Sequence, residues 1–78
     1  MEKQIVVDKI EVMEGGVVQV RTATRIIDGG AVVSQSFHRH VVSPGDNYSA
    51  EDARVKAVCA AVHTPEVIAA HEAAKPAV

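Results

Sequence analysis

Apolar and polar residues alternate along the first half of this chain and recur at helical spacing in the second. Residues 3–13, KQIVVDKIEVM, have strand composition but mixed alternation: Val6, Ile10 and Val12 share one parity, Ile5 and Val7 the other. Glu14-Gly15-Gly16 then turns the chain. A three-residue loop there, closed by a glycine bulge, pairs Val12 with Val18 and Ile10 with Val20. A two-residue loop sets Glu11 or Lys9 against Val20 instead. A slip of one residue flips every side chain to the other face, so the apolar match selects the three-residue loop.

The stretch from Val17 to Gly45 reads as two long strands joined at Asp28-Gly29-Gly30. Even positions of the first are Val18, Val20, Thr22, Thr24 and Ile26; odd ones include Gln19, Arg21 and Arg25. With Asp28-Gly29 as a two-residue loop, Ile26 faces Ala31, Thr24 faces Val33 and Val20 faces Phe37. That register predicts an apolar inner face holding Phe37, with Gln35 and Arg39 as its exceptions. It predicts an outer face of Lys9, Gln19, Arg21, Arg25, Ser34, Ser36, His38 and His40. Such a partition suits an antiparallel sheet covered on one side.

Ser43-Pro44-Gly45-Asp46 has the residues of a type II turn. Ser49 is the expected N-cap of a helix with Glu51 and Asp52 in its first turn. Val55, Val58, Cys59 and Val62 then fall at i, i+3, i+4 and i+7, one helical stripe. Thr64-Pro65-Glu66 restarts the pattern, with Thr as cap and Pro at the first helical position. A weaker stripe of Val67, Ile68, Ala70, His71 and Ala74 follows, and Lys75-Pro76 is the expected end. The alanines at 60, 61, 69, 70, 73 and 74 suit close helix packing, and equally suit a helix with no partner, since Ala is the best helix former.

The predicted fold is α+β: a three-stranded antiparallel β-meander followed by two short helices packed on one face, in the order β-β-β-α-α. It is a single domain over 1–78, with the sheet at 3–42 and helices at about 50–62 and 65–74. The pattern leaves open whether the helices are separate or one helix kinked at Pro65.

Composition makes the expected core thin. Apolar residues are 47% of the chain, yet they include one Phe, one Tyr and no Trp, and large aromatics ordinarily dominate small cores. A chain of this size buries only about 60% of its unfolded surface. Oligomerisation is a standard remedy, and a homo-oligomer is expected. The formal charge of −2 is evenly spread, which makes nucleic acid an unlikely partner. The lone Cys59 excludes an internal disulfide framework. No apolar run approaches the ~20 residues that span a bilayer, so no membrane partner is expected, and the start of the chain reads as strand and not as a signal peptide.

Candidate chemistry is sparse. His38 and His40 stand two apart and share a strand face, and His63 can approach from a helix end. That makes a weak candidate metal trio, set against the ordinary reading of solvated strand histidines. Cys59 falls within an apolar stripe, where a thiol acts as a small hydrophobe; a nucleophile needs an electropositive, exposed setting. Gly15-Gly16 and Gly29-Gly30 do not lead from strand to helix as a phosphate loop does. The carboxylates are scattered, leaving no paired acid-base site. The sequence calls for no cofactor and no catalytic residue. Its one polar surface feature is the expected cationic sheet face of Arg21, Arg25, His38 and His40, read as a protein-binding face. Single-strand nucleic-acid platforms stack bases on aromatics, and this face is expected to have none.

The run RTATRIIDGGAVVSQSFHRHVVSPGDNYSAEDARVKAVCAAVHTPEVIAAHEA resembles short proteins encoded by tailed bacteriophages and prophages, of the small tail-region reading-frame type. The Asp-Gly hairpin between β-rich arms carries the likeness, with Phe37-His38-Arg39-His40, Ser43-Pro44-Gly45-Asp46 and Thr64-Pro65-Glu66-Val67-Ile68. The resemblance implies a non-enzymatic phage protein, structural or tail-associated, in the virion or the host bacterial cytoplasm. Its expected contacts are copies of itself or a larger virion protein. The alternative is an inhibitor that binds a host enzyme or defence complex.

Overall fold

The structure, a computed structural model, describes residues 1–74. The chain forms β1 (Glu2–Val12), β2 (Val18–Asp28), β3 (Ala31–Val42), α1 (Ala53–Val62) and α2 (Pro65–Ala74). The strands make one antiparallel sheet in the order β1-β2-β3. This is the α+β meander with two following helices that the pattern predicts. Lys75-Pro76, the expected end of the second helix, lie outside the described residues.

The first hairpin has the register that apolar matching selects, with Val12 opposite Val18 and Ile10 opposite Val20. Met13 N–H donates to Val17 C=O at 2.8 Å, and Gly16 N–H to Met13 C=O at 2.9 Å, so the loop is Glu14-Gly15-Gly16. Gly16 takes φ +89°, and a Cβ there would lie 2.6 Å from Val67 Cγ1. Both the backbone and the close approach of α2 therefore require glycine. The register shifts between Val7 and Lys9. That bulge at Asp8 explains the mixed alternation: Ile5 and Val7 before it, and Ile10 and Val12 after it, all take the face of Val18 and Val20.

The second hairpin differs from expectation. Its two loop residues are Gly29-Gly30, at φ +61° and +83°, with Asp28 opposite Ala31. A type I′ turn needs positive φ at both central positions, and the glycine pair meets that without the steric cost Asp28 would carry. A register shift at Ile26/Ile27 leaves Val33 as the extra residue. Val20 consequently faces His40, Thr22 faces His38, Arg21 faces Arg39 and Ala23 faces Phe37. Phe37 is thus on the outer face, 49% exposed, and Ser34, Ser36, His38 and His40 are on the inner one.

The cap of α1 is Asp52, whose carboxylate accepts from Arg54 N–H at 2.9 Å, and not Ser49. Ser49 N–H instead donates to Asn47 Oδ1. Thr64 caps α2 as expected, its hydroxyl accepting from Val67 N–H at 3.3 Å. The helices are separate, divided at His63-Thr64. Their alanines are exposed at 60, 61, 69, 70, 73 and 74, so helix propensity accounts for them.

The core sits at one end of the sheet. Val55 and Cys59 of α1 pack on Val18, Val20 and Val42, with Val7, Ile10, Tyr48 and Val58 partly buried around them. Fully burying a Val is worth about 1.5–3 kcal/mol, so a handful of side chains holds this end. The sheet outruns its cover. Eleven residues of β2 extend about 37 Å, whereas the ten of α1 extend about 15 Å. The radius of gyration is 15.8 Å, against about 11–12 Å for a compact chain of this length.

Candidate functional site

The structure divides the expected cationic face in two. Arg21 and Arg25 lie on the outer face, His38 and His40 on the inner one. The shift of register between Ile26 and Ile27 is the cause, because it exchanges the faces of every β3 residue beyond it.

On the outer face, Arg21 is fully engaged. Its Nε and Nη2 donate to the two carboxylate oxygens of Asp8 at 2.9 and 2.7 Å, and its Cζ sits 4.4 Å from the Phe37 ring centre. The bulge aims Asp8 at Arg21 by setting both Asp8 and Lys9 against it. Those hydrogen bonds hold the Asp8 carboxyl below the ordinary carboxylate value and raise the Arg21 guanidinium. Arg25 bridges the three strands, donating to Gln35 Oε1 at 2.9 Å and Gln4 Oε1 at 3.2 Å. Arg39 lies opposite Arg21 and is exposed, beside exposed Phe37 and Val41.

On the inner face, the rings of His38 and His40 stack with centroids 6.4 Å apart. His40 Nε2 meets Glu51 Oε1 at 2.7 Å, tying β3 to the segment before α1. His63 is elsewhere. It is buried, its Nε2 is 2.7 Å from Gly16 C=O, and its ring meets Tyr48 edge-on at 6.3 Å. The structure therefore does not gather His38, His40 and His63. Among the described residues no three His, Cys, Asp or Glu side chains come together as a metal set. His63 is a pin between the end of α1 and the first hairpin loop, a role visible in sequence only as its place just past the apolar stripe.

Cys59 is fully buried, and burial, with the Glu51 charge a lesser cause, pushes its thiol up. A thiol so placed is a core side chain and a poor nucleophile.

The surface also carries grooves. One of about 250 Å³ runs between the first hairpin loop and the helices, against Val12, Met13, Val62, Val67 and Ala70. Another, about 290 Å³, lies against Gln19, Arg39, His40 and Val41 at the β3 margin. Both are open recesses with mainly apolar walls, and neither sets a base beside a nucleophile.

The larger feature is the sheet itself. Past the row of Val7, Thr22 and His38, the inner face carries Ile5, Thr24, Ser36, Lys3, Ile26 and Ser34 with no helix above them. Both β1 and β3 are edges. Exposed apolar side chains stand toward this end of the sheet: Ile5 at 64%, Val33 at 60% and Val32 at 52%. No helix among the described residues is long and apolar enough to cross a membrane. No protein-family profile, curated protein or solved structure matches this chain.

Proposed function

We propose that this chain is a non-enzymatic protein-interaction module that works by self-association, with a structural or tail-associated role in a bacteriophage particle. The half-covered sheet carries the reading: its far end exposes Ile5 of β1 and Val32 and Val33 of β3 beside two unpaired strand edges. An open edge offers unpaired N–H and C=O groups to another chain, and exposed β-branched residues beside it suit such pairing. The phage setting, in the virion or the host cytoplasm, rests on the sequence resemblance alone. Light scattering coupled to size exclusion at high micromolar concentration tests the association. The expected mass is a multiple of the 8.2 kDa chain; a strict monomer would remove self-association. Mass spectrometry of purified virions tests the setting.

A second reading is an inhibitor docking a host enzyme or defence complex through the outer face. Exposed Arg39 beside exposed Phe37 and Val41 favours it, since Arg and aromatic residues are the usual interface anchors. Arg39→Glu abolishes capture of such a partner if that face is used, and unchanged capture removes the face from consideration.

A further inference from the structure

The edge of β3 shows how such copies join, an inference that rests on the self-association reading and adds which edge pairs and in what register. We propose that two copies pair β3 with β3, antiparallel, about a two-fold axis at His38, making one continuous six-stranded sheet.

The two edges are not equivalent. β1 is interrupted mid-strand by the bulge at Asp8, and its Val7 carbonyl already accepts from the Arg54 guanidinium. It also carries Glu2, Lys3, Lys9 and Glu11. Bulges and charges, lysine above all, are how edges are kept from pairing. β3 has its irregularity beside the turn, at Val33, and runs regularly from Ser34 to Val42. Arg39 is the one charged residue in that run apart from histidine, and residues 34–39 and 41 are all exposed.

Symmetry then fixes the register. Along a strand edge the outward N–H and C=O groups belong to alternate residues, and they must meet outward groups of the partner. A residue and its mate therefore share parity, which places the axis through a residue and never between two. The regular run is bounded by the Val33 bulge and the Ser43-Pro44 turn, and His38 is its midpoint. An axis there pairs the whole run with itself. Arg39 then meets Phe37 of the second copy, Gln35 meets Val41, Ser36 meets His40 and Ser34 meets Val42. Phe37 already takes one guanidinium, that of Arg21 at 4.4 Å, and keeps 49% of its surface open for another. Moving the axis to Arg39 opposes two guanidinium groups across the seam. Moving it to Phe37 sets Val41 against the bulged Val33.

Cysteine cross-linking tests this with the full chain, and buried Cys59 serves as an internal silent thiol. Opposed Cα atoms in an antiparallel pair are about 4.5–5.5 Å apart, within the disulfide range of about 4.4–6.8 Å. Under mild oxidation His38→Cys is expected to link to itself about tenfold more than Ser36→Cys does alone, because residue 36 lies four residues, about 14 Å, along the strand from its own copy. An equimolar mixture of Phe37→Cys and Arg39→Cys chains is expected to link across, with little linkage in either alone. The mixture keeps the test intact if His38→Cys does not fold, which circular dichroism reports. Self-linkage of Phe37→Cys in place of His38→Cys overturns the register. A dimer by light scattering with no linkage anywhere on β3 overturns the edge and leaves self-association standing. A monomer overturns both.

Discussion

Near Gly16, Val18, Val20 and Val42 lie under α1 and are at most 3% exposed; at the far end of the same face Ile5 is 64% exposed. The side chains are of one kind, all β-branched, and the strands are continuous between them. Their surroundings differ because a ten-residue helix is less than half as long as an eleven-residue strand. Burial here is set by the reach of the lid and not by the apolar pattern of the strand. The two ends therefore differ: one holds the fold together, and the other leaves apolar side chains in solvent.

The sharpest way to break that comparison is the same substitution at both ends. Val55→Asp puts an unpaired carboxylate in the core, at a cost of about 4 kcal/mol or more, enough to unfold a domain of this size. Its far-UV circular dichroism is expected to be that of an unfolded chain. Ile5→Asp, on the uncovered end, is expected to change stability by less than about 0.5 kcal/mol. Equal losses would erase the distinction.

Glycines at the two hairpins extend the comparison. Gly16→Ala meets both a positive φ and Val67 at 2.6 Å, and is expected to cost about 2 kcal/mol or more in urea unfolding. Gly29→Ala meets the backbone penalty alone, since nothing lies within 4 Å, at about 1 kcal/mol. A larger loss at Gly29 would mean that the packing of α2 on the first loop contributes nothing.

The smallest effect belongs to the outer face. The Asp8 carboxyl is held below its ordinary 3.8 by hydrogen bonds from Arg21. A lowered native value means stability that is complete above the ordinary one and is lost as the pH falls through the native one. The thermal midpoint is therefore expected to fall more steeply below about pH 4 in the wild type than in Arg21→Gln. Parallel curves would show the pair to be idle, as many exposed ion pairs are.

Element order, the first hairpin register and the Thr64-Pro65 helix start were legible in sequence because each rests on local chemistry. The Asp8 bulge was also written there, as the parity change between Val7 and Ile10, and only a bulge keeps Ile5, Val7, Ile10 and Val12 on one face. The second hairpin was harder. Asp28-Gly29 and Gly29-Gly30 both satisfy turn chemistry, and the strands beyond are too evenly mixed for hydrophobic matching to choose. The turn choice alone leaves the faces unchanged; the bulge at Val33, unmarked in sequence, is what puts Phe37 outside and His38 and His40 inside. The site suffered accordingly: the cationic cluster was a product of register. His63 was harder still, because its partner, the Gly16 carbonyl, is a backbone group that carries no side-chain signature.

Amide hydrogen exchange across a dilution series tests the unequal edges most directly. Ser34–Val42 is expected to gain protection as concentration rises, while β1 exchanges at the same rate throughout. Exchange of β3 that is indifferent to concentration, or protection that appears along β1 instead, would contradict the account.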